Sequence, residues 1–389
     1  MFLKVFRDDI IEGLHKSANI IPAKTGAAFL RTIWLKAEEG ALKIMSTDSN
    51  LEFSGTYEGD IVDEGLAGVQ GRSFYDLVKR LPPGSIQLKT DDDDQNLTVT
   101  HDRKEYTLPV NEPSWFQPFA EFPDNGTVFW SGDFLIETID RTSFCISDED
   151  TMEAIACMYI GLSEDKEHIE VCGLNGHQFA LFRFLHEDLK AVIPEGGLLI
   201  QKKYISELKK WLSSDEIELA AGDKRLFFRS GDGKETFSLP LSFYQYPNYN
   251  TFLSKVTEGG NISTLSANRL DLIDSLERIQ IFNTENNRCT YFSFKENEVD
   301  LYSQGQDVGK ANETIEGDFS GDLDKIAFPT RNLIDILNHF QSEKVTLRFT
   351  GPEGPCGIQG KDDPEYIVII MPMKIVEETY YTEEETSNE

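Results

Sequence analysis

The stretch Arg72-Ser-Phe-Tyr-Asp-Leu-Val-Lys-Arg-Leu81 decides the fold, because similar stretches recur twice further along the chain. Its apolar residues Phe74, Leu77 and Leu81 have the spacing of one face of a helix and predict an amphipathic helix. Two segments of alternating apolar and polar residues follow, Ser85-Ile-Gln-Leu88 and Glu105-Tyr-Thr-Leu-Pro109. Both are predicted to be strands, and the proline is expected to end the second one because it cannot donate to a ladder.

The same order of one helix and two strands is found in two later segments. The second copy is Lys202-Lys-Tyr-Ile-Ser-Glu-Leu-Lys-Lys-Trp-Leu212, Glu216-Ile-Glu-Leu219 and Thr236-Phe-Ser-Leu-Pro240. The third copy is Thr330-Arg-Asn-Leu-Ile-Asp-Ile-Leu-Asn-His-Phe340, Lys344-Val-Thr-Leu347 and Tyr366-Ile-Val-Ile-Ile-Met-Pro372. The copies lie about 130 residues apart, which corresponds to a whole domain and not to one unit of a solenoid.

Three domains of one fold are therefore predicted, at residues 1–126, 127–258 and 259–375, followed by an acidic tail at 376–389. Each domain is expected to begin with a helix, in which Leu14, Ile139 and Leu276 occupy equivalent apolar positions. A second helix follows about two thirds of the way through each domain, and strands fill the rest. The predicted fold class is α+β, with two helices on one face of an antiparallel sheet in each domain.

The composition is strongly acidic, with a net charge of −31 over 389 residues. Spread evenly, that charge favours solubility and repels nucleic acid. The cysteines are odd in number and form no CxxC pair, which is typical of buried thiols in a reducing compartment; they are Cys145, Cys157, Cys172, Cys289 and Cys356. The first residues do not resemble a signal peptide and no long apolar run is present, so a cytoplasmic protein without membrane contact is expected.

Three further motifs, in register on the threefold repeat, give the chain a family resemblance. They are Gly173-Leu-Asn-Gly-His-Gln-Phe-Ala180, Gln245-Tyr-Pro-Asn-Tyr249 and Ile369-Ile-Met-Pro-Met-Lys-Ile375. With the repeat, they resemble the bacterial sliding clamps, the beta subunits of the replicative DNA polymerase. The resemblance extends over residues 1 to about 375.

This resemblance implies a head-to-tail homodimer that forms a ring of six similar domains around double-stranded DNA. Such a ring is not an enzyme and needs no cofactor or metal. It tethers the replicative DNA polymerase as a processivity factor, is opened and closed by a clamp loader, and binds proteins that carry clamp-binding peptide motifs. A head-to-tail contact that closes after two subunits gives a ring and not a fibre.

A DNA-facing surface is predicted on the second helix of the first two domains. These helices carry an excess of basic residues although the whole chain has a charge of −31. Lysine and arginine side chains bind phosphate without reading sequence, as a sliding protein requires. The predicted residues are Arg72, Lys79, Arg80, Lys202, Lys203, Lys209 and Lys210. The family resemblance adds Lys24.

Two loops depart from the family pattern. The segment Ser147-Asp-Glu-Asp-Thr-Met-Glu-Ala154 carries four carboxylates where the family often has a polar, aromatic and basic loop that touches DNA. The segment Thr25-Gly-Ala-Ala28 replaces a turn that contains proline. The first departure puts the DNA contact of that loop in question.

The resemblance also implies a peptide-binding cleft between the second and third domains. An exposed groove of Met, Pro, Phe and Ile side chains suits a short motif with Leu and Phe, because methionine repacks around varied partners. Apolar packing at a domain seam is the alternative interpretation of the same residues. The predicted walls are Cys157, Leu174, Gly176, His177, Phe179, Pro247, Thr251, Phe252, Pro355, Ile369, Met371, Pro372, Met373 and Ile375.

The dimer contact is placed by matching positions to the family. It is expected to use Tyr106 and Leu108 in the first domain. In the third domain it is expected to use Arg278, Ile281 and Phe282, near the end of the first helix.

Two other functions are compatible with parts of the sequence. His177 could indicate a hydrolase, but no nucleophile motif and no HxxxH pair accompanies it. The acidic composition also fits a scaffold protein that forms clamp-like rings without loading on DNA.

The tail beyond Ile375 has six glutamates, no basic residue and two adjacent tyrosines, Tyr380 and Tyr381. Its composition favours disorder. The tyrosines are nevertheless near enough in sequence to fold back over Met371 and Met373, so partial self-occlusion of the cleft is a further hypothesis.

Overall fold

The predicted amphipathic helices are present, and each presents its apolar stripe to a sheet. The structure, a computed structural model, describes residues 1–22, 27–148, 152–260, 262–285, 287–305 and 307–375. The helices are α1 Arg7–Ile20, α2 Gly71–Arg80, α3 Gly132–Ser143, α4 Glu187–Val192, α5 Lys202–Trp211, α6 Asn250–Glu258, α7 Arg269–Gln280 and α8 Thr330–Asn338.

The strands occupy most of the remaining chain. The strands of the first half are β1 Phe2–Phe6, β2 Thr32–Glu38, β3 Ala41–Thr47, β4 Glu52–Glu58, β5 Asp60–Asp63, β6 Gly65–Gln70, β7 Ser85–Thr90, β8 Asn96–His101, β9 Lys104–Asn111, β10 Thr127–Ser131, β11 Cys157–Leu162, β12 Ile169–Leu174 and β13 Gln178–Phe184. Those of the second half are β14 Leu198–Gln201, β15 Glu216–Ala221, β16 Arg225–Ser230, β17 Glu235–Pro240, β18 Ser263–Asn268, β19 Cys289–Phe294, β20 Glu298–Gly305, β21 Gly309–Ser320, β22 Lys325–Pro329, β23 Lys344–Phe349, β24 Cys356–Gly360 and β25 Tyr366–Ile370.

The chain divides into two compact units. Unit 1 comprises Met1–Val171 and Phe184–Tyr246, and unit 2 comprises Cys172–Arg183 with the described part of the chain from Pro247 onward. The division falls inside the predicted second domain, which contributes residues 172–183 and 247–258 to unit 2. The boundaries of the three predicted domains therefore stay a prediction.

Unit 1 contains one antiparallel sheet of the order β10-β15-β16-β17-β4-β3-β2-β6-β9-β8-β7-β1-β5, and a separate pairing of β14 with β11. In unit 2, the order is β13-β25-β24-β23-β18-β21-β20-β19-β22. Each of these two sheets contains an antiparallel pairing between strands that are far apart in the sequence. β17 pairs with β4 through Phe237 and Phe53, and β25 pairs with β13 through Ile369 and Phe179.

Local sequence explains where the helices begin and what they bury. The Gln70 side chain accepts a hydrogen bond from the Ser73 N–H at 2.6 Å and caps the start of α2. Phe74 and Val78 of α2 are fully buried. In the first helix of each predicted domain, the positions expected to be equivalent are likewise fully buried; they are Leu14, Ile139 and Leu276.

Two features of the sequence pattern are corrected by the structure. Pro109 does not end its strand, because β9 continues to Asn111. The proline lies where β9 leaves its pairing with β8 and begins to pair with β6 at Val110, so its missing N–H interrupts little of either ladder. The short helices α4 and α6 are additional to the predicted pair, so the described part of the predicted second domain contains four α-helices.

The junction of β4 with β17 encloses a charged group. The Glu235 carboxylate accepts a hydrogen bond from the Tyr57 hydroxyl at 2.9 Å and pairs with the Lys16 ammonium at 2.6 Å. Burial, reinforced by the Glu235 charge, raises the pKa of Tyr57. The network joins α1 and β4 to β17, and it satisfies a carboxylate that would otherwise be costly to bury.

Aromatic packing forms a core cluster in unit 2 around Phe179. The Phe179 ring stacks on Tyr249 with 5.2 Å between centroids and meets Phe252 edge-on at 5.0 Å. Its side chain is only 1% exposed, whereas Met371, just beyond β25, is 38% exposed. Phe179 is thus a core residue and Met371 a surface residue.

We expect Phe179→Ala to lower the free energy of unfolding by about 3–5 kcal/mol, because it removes a buried ring and leaves a cavity. Met371→Ala serves as the matched control, and an exposed side chain should cost below about 1 kcal/mol. Urea denaturation followed by circular dichroism measures both effects. Equal losses in the two variants would contradict the placement of Phe179 in the core.

Candidate functional site

The predicted basic residues of α2 lie on an exposed helix face. Arg72, Lys79 and Arg80 are exposed, and the Arg72 guanidinium donates to the Ile21 carbonyl at 3.3 Å. The Lys79 ammonium lies 5.4 Å from the centre of the Tyr75 ring. Among the described residues, no carboxylate pairs with these three cations. Lys24, which the resemblance added, lies outside the described residues.

The basic residues of α5 have a different environment. Lys203 is exposed and lies 4.8 Å from the centre of the Tyr204 ring. Each of the other three lysines is held by a carboxylate of this chain. Lys209 pairs with Asp140 of α3, Lys210 pairs with Glu207 at 2.7 Å, and Lys202 pairs with Asp148 at 2.7 Å. The net charge that the sequence shows on α5 is therefore partly compensated in the folded chain.

The first helix of each predicted domain presents an acidic face that the sequence analysis did not use. This face could have been recognised in the sequence, because carboxylate residues recur at helical spacing between the apolar positions. The exposed or half-exposed acidic residues are Asp8, Asp9 and Glu12 on α1, Asp133, Glu137 and Asp140 on α3, and Asp271, Asp274 and Glu277 on α7. Basic character is thus confined to α2 and α5, while α8 balances Arg331 with Asp335.

The acidic loop that departs from the family pattern is described only in part. Asp148 pairs with Lys202, whose ammonium also donates to the Ile146 carbonyl at 2.8 Å. Residues 149–151 of this loop lie outside the described residues. The described part of the loop holds a predicted DNA-facing lysine and so reduces its free positive charge.

Most residues of the predicted peptide-binding cleft come together in unit 2. The Met371 N–H donates to the His177 carbonyl at 2.9 Å, which holds the end of β25 against the turn before β13. The Asn175 side chain forms that turn by accepting from the His177 and Gln178 N–H groups at 3.0 and 2.8 Å. Gly176 has φ +86°, a conformation that glycine adopts without strain. The turn and the strand end therefore form one defined surface.

The remaining members of the predicted cleft, apart from three core residues, are exposed or half-buried. Gly176, His177, Thr251, Met371 and Met373 are exposed. Leu174, Pro247, Phe252, Pro355, Pro372 and Ile375 are half-buried. Met371 and Met373 alternate along the chain after β25, and the Met373 N–H donates to the Ala327 carbonyl at 2.7 Å. Two flexible thioether side chains thus project from a segment whose backbone is fixed.

Three members of the predicted cleft do not lie on a surface, which corrects their assignment as exposed walls. Phe179 and Ile369 are paired core residues of β13 and β25. Cys157 belongs to unit 1 and is fully buried, with its thiol 3.4 Å from the Glu153 carbonyl. Burial raises the pKa of the Cys157 thiol. The alternative interpretation, plain packing, holds for these three residues. The hypothesis of a tail folded over the methionines lies outside the described residues.

Two of the residues assigned to the dimer contact lie on strand β9, and the other three lie at the end of α7 or just after it. Tyr106 and Leu108 of β9 are half-buried, and this part of β9 pairs with β8 alone among the described strands. Ile281 is 71% exposed at the end of α7, next to half-buried Phe282. Arg278 is engaged within the chain, because its guanidinium forms a two-pronged pair with Glu313 of β21 at 2.7 and 2.8 Å.

The described residues offer little for catalysis or for a metal. They contain no group of three or more His, Cys, Asp or Glu side chains that could hold a metal ion. Burial also raises the pKa of the Cys289 and Cys356 thiols, away from a reactive thiolate. Within the same ranges, each helix is too short or too polar to span a bilayer.

Comparisons with known proteins identify the family. Residues 1–118 match the model of the DNA polymerase III beta subunit, N-terminal domain, and residues 259–374 match that of the C-terminal domain. The "Beta sliding clamp" of Caulobacter vibrioides is 22% identical, over 96% of this chain and 100% of that protein. The structure of a DNA polymerase sliding clamp from Caulobacter crescentus, 22% identical, superposes with a TM-score of 0.88 over 96% of this chain and all of that one.

A second solved structure agrees with this assignment. It is a sliding clamp from Bartonella birtlesii bound to griselimycin, 21% identical, with a TM-score of 0.86 over 96% of this chain and all of that one. The clamp-type α+β fold predicted from the repeat is confirmed by these superpositions. The two family models together match more than half of the chain, and the chain belongs to the DNA polymerase III beta subunit family, the beta sliding clamps.

Proposed function

We propose that this chain forms a head-to-tail homodimeric ring around double-stranded DNA and tethers the replicative DNA polymerase as its processivity factor. The ring has no catalytic activity of its own and acts in the cytoplasm. The observation that carries the proposal is a strand pairing between successive predicted domains. It occurs twice within the chain and leaves one strand edge in the first domain and one in the third without a partner among the described strands.

Within the chain, the last strand of one predicted domain pairs with the fourth strand of the domain before it. β17, the last strand of the second domain, pairs with β4 of the first. β25, the last strand of the third domain, pairs with β13 of the second. By the same pattern, β9, the last strand of the first domain, has no fourth strand of another domain to pair with in the described chain, and β21, the fourth strand of the third domain, has no last strand of another domain. The repeat supports three domains at 1–126, 127–258 and 259–375.

The two leftover edges are open in the described chain. Residues 104–108 of β9 pair only with β8, and residues 309–316 of β21 pair only with β20. Open edges are ready templates for another chain. Because the two edges differ, they make a head-to-tail contact, and a ring follows when that contact closes after two copies. Leu108 lies on β9, and the exposed Ile281 follows α7, the helix whose Arg278 pairs with Glu313 of β21.

The charge distribution supports duplex DNA as the ring's occupant. Basic side chains cluster on α2 and α5 although the chain as a whole carries −31. Exposed lysine and arginine residues give contact to phosphate without sequence reading, as movement along DNA requires.

The surface around Met371 and Met373 supports binding of short peptides. It is exposed, apolar and fixed at its backbone by the His177 and Ala327 contacts. Peptide motifs of the polymerase, the clamp loader and other replication proteins are the proposed ligands. The related clamp from Bartonella birtlesii, which was solved bound to griselimycin, shows that a protein of this fold holds a ligand.

A second candidate function is an acidic scaffold that forms rings without loading on DNA. The net charge of −31 and the acidic faces of α1, α3 and α7 favour it. The two functions differ in topology, because only a loaded ring is linked to a circle of DNA.

We expect a clamp loader and ATP to place the protein on nicked circular DNA, where it stays during gel filtration. Cutting the circle once should release it, because a ring slides off a free end. A control reaction without ATP should show no retention. Absence of retention on the intact circle, with active loader confirmed on another clamp, would favour the scaffold.

We expect light scattering to give twice the chain mass of 44.1 kDa at micromolar concentration. Leu108→Lys should produce monomers, because an unpaired charge buried in the contact costs on the order of 3–5 kcal/mol. Val62→Lys, on the edge strand β5 of the same sheet, is the matched control and should remain dimeric. A dimeric Leu108→Lys variant would argue against the β9 edge.

We expect a peptide with Gln followed by Leu and a Leu-Phe pair to bind near micromolar affinity, roughly −8 kcal/mol. Replacing both Met371 and Met373 by Ala should weaken binding at least tenfold, about 1.4 kcal/mol. Met152→Ala, an exposed methionine of unit 1, is the control. Calorimetry measures the affinities, and an unchanged affinity in the double variant would refute the site.

A further inference from the structure

The two basic helices proposed to face DNA differ in how much of their charge is free. The cations of α2 have no carboxylate partner among the described residues, whereas Lys202, Lys209 and Lys210 of α5 each have one. The Lys209 pair is special because its partner, Asp140, comes from a different helix, α3, which lies 69 residues earlier in the chain. Folding alone brings these two charges together.

The Lys210–Glu207 and Lys209–Asp140 pairs also differ in how easily phosphate could replace the carboxylate. The Oε2 atom of Glu207 is buried without a hydrogen-bond partner in the described chain, and Lys210 pairs with the Oε1 atom of this partly buried carboxylate, so losing Lys210 would be costly. The side chains of Lys209 and Asp140 are 35% and 50% exposed. An exposed pair of this kind is weak and can exchange partners.

We propose that Asp140 acts as a built-in competitor of DNA phosphate for Lys209. In the free protein, the Asp140 carboxylate occupies the ammonium group that a phosphate would otherwise bind. On DNA, the phosphate must displace that carboxylate. This competition weakens the contact between Lys209 and phosphate and makes it easier for the protein to leave that phosphate. The inference rests on the proposed DNA-encircling function and adds a residue that sets the strength of the contact.

A lysine already paired with a carboxylate contributes little to counterion release. The affinity of a protein for duplex DNA falls with salt in proportion to the number of phosphates that it neutralises, with a slope of about −0.9 for each. Lys209 should therefore contribute less than a full unit to the slope while Asp140 is present. Removing the Asp140 charge should restore most of that unit.

The test is fluorescence anisotropy with a short labelled duplex over a series of sodium chloride concentrations. Asp140→Asn should tighten binding about twofold to fivefold at low salt, the range that corresponds to an exposed ion pair. It should also steepen the salt slope by up to about one unit. Asp140→Glu, which keeps the charge, should behave like the unaltered protein. Lys209→Gln should weaken binding, and adding Asp140→Asn to it should give no further gain in slope.

Asp133→Asn is the matched control, because it removes the same charge from the same helix at an exposed position without a lysine partner among the described residues. Equal gains from Asp133→Asn and Asp140→Asn would overturn the inference in favour of a general charge effect. Unchanged binding in Asp140→Asn, with Lys209→Gln still weaker, would overturn it while leaving the proposed function intact. If the folded, unaltered protein binds no duplex at low salt, the inference is wrong, while loader-dependent retention on nicked circular DNA decides the proposed function separately.

Discussion

Backbone hydrogen bonding between strand edges is the constraint on which the rest of this structure depends. An antiparallel sheet always presents two edges of unpaired N–H and C=O groups, and a stable protein must pair or protect them. This chain pairs β4 with β17 and β13 with β25, so that each junction is a continuation of the sheet and not a loose contact. The same rule leaves the edges of β9 and β21 for a second copy, and it thereby links the fold to the proposed ring.

The junctions are not chemically identical. The pairing of β4 with β17 surrounds Glu235, which Tyr57 and Lys16 satisfy. The pairing of β13 with β25 is apolar, with Phe179 opposite Ile369 and aromatic rings from Tyr249 and Phe252 packed on it. One backbone arrangement thus tolerates both a polar and an apolar core. What the two junctions share is the ladder, which depends on the backbone and not on the side chains.

Charge is organised at a finer scale than the net value of −31 indicates. Acidic residues cover the exposed faces of α1, α3 and α7, while α2 and α5 carry the basic ones. Three of the four α5 lysines are paired with carboxylates, whereas the cations of α2 have no carboxylate partner among the described residues. A surface of this kind can attract phosphate over short distances without holding it strongly. Such weak, exchangeable contacts suit a protein that must move along DNA.

The sequence by itself determined six of the described α-helices, all except α4 and α6, because these depend on the spacing of residues close together in the chain. Leu14, Ile139 and Leu276 were placed correctly in the core from their spacing alone. The tertiary structure decided what depends on distant partners. It buried Phe179, Ile369 and Cys157, which the family resemblance had placed among the walls of the cleft. In the folded chain, β9 continues past Pro109 and pairs with β6. Lys209 of α5 pairs with Asp140 of α3. Periodicity shows which face of an element is apolar, but only the packed chain determines which strand or charge lies opposite it.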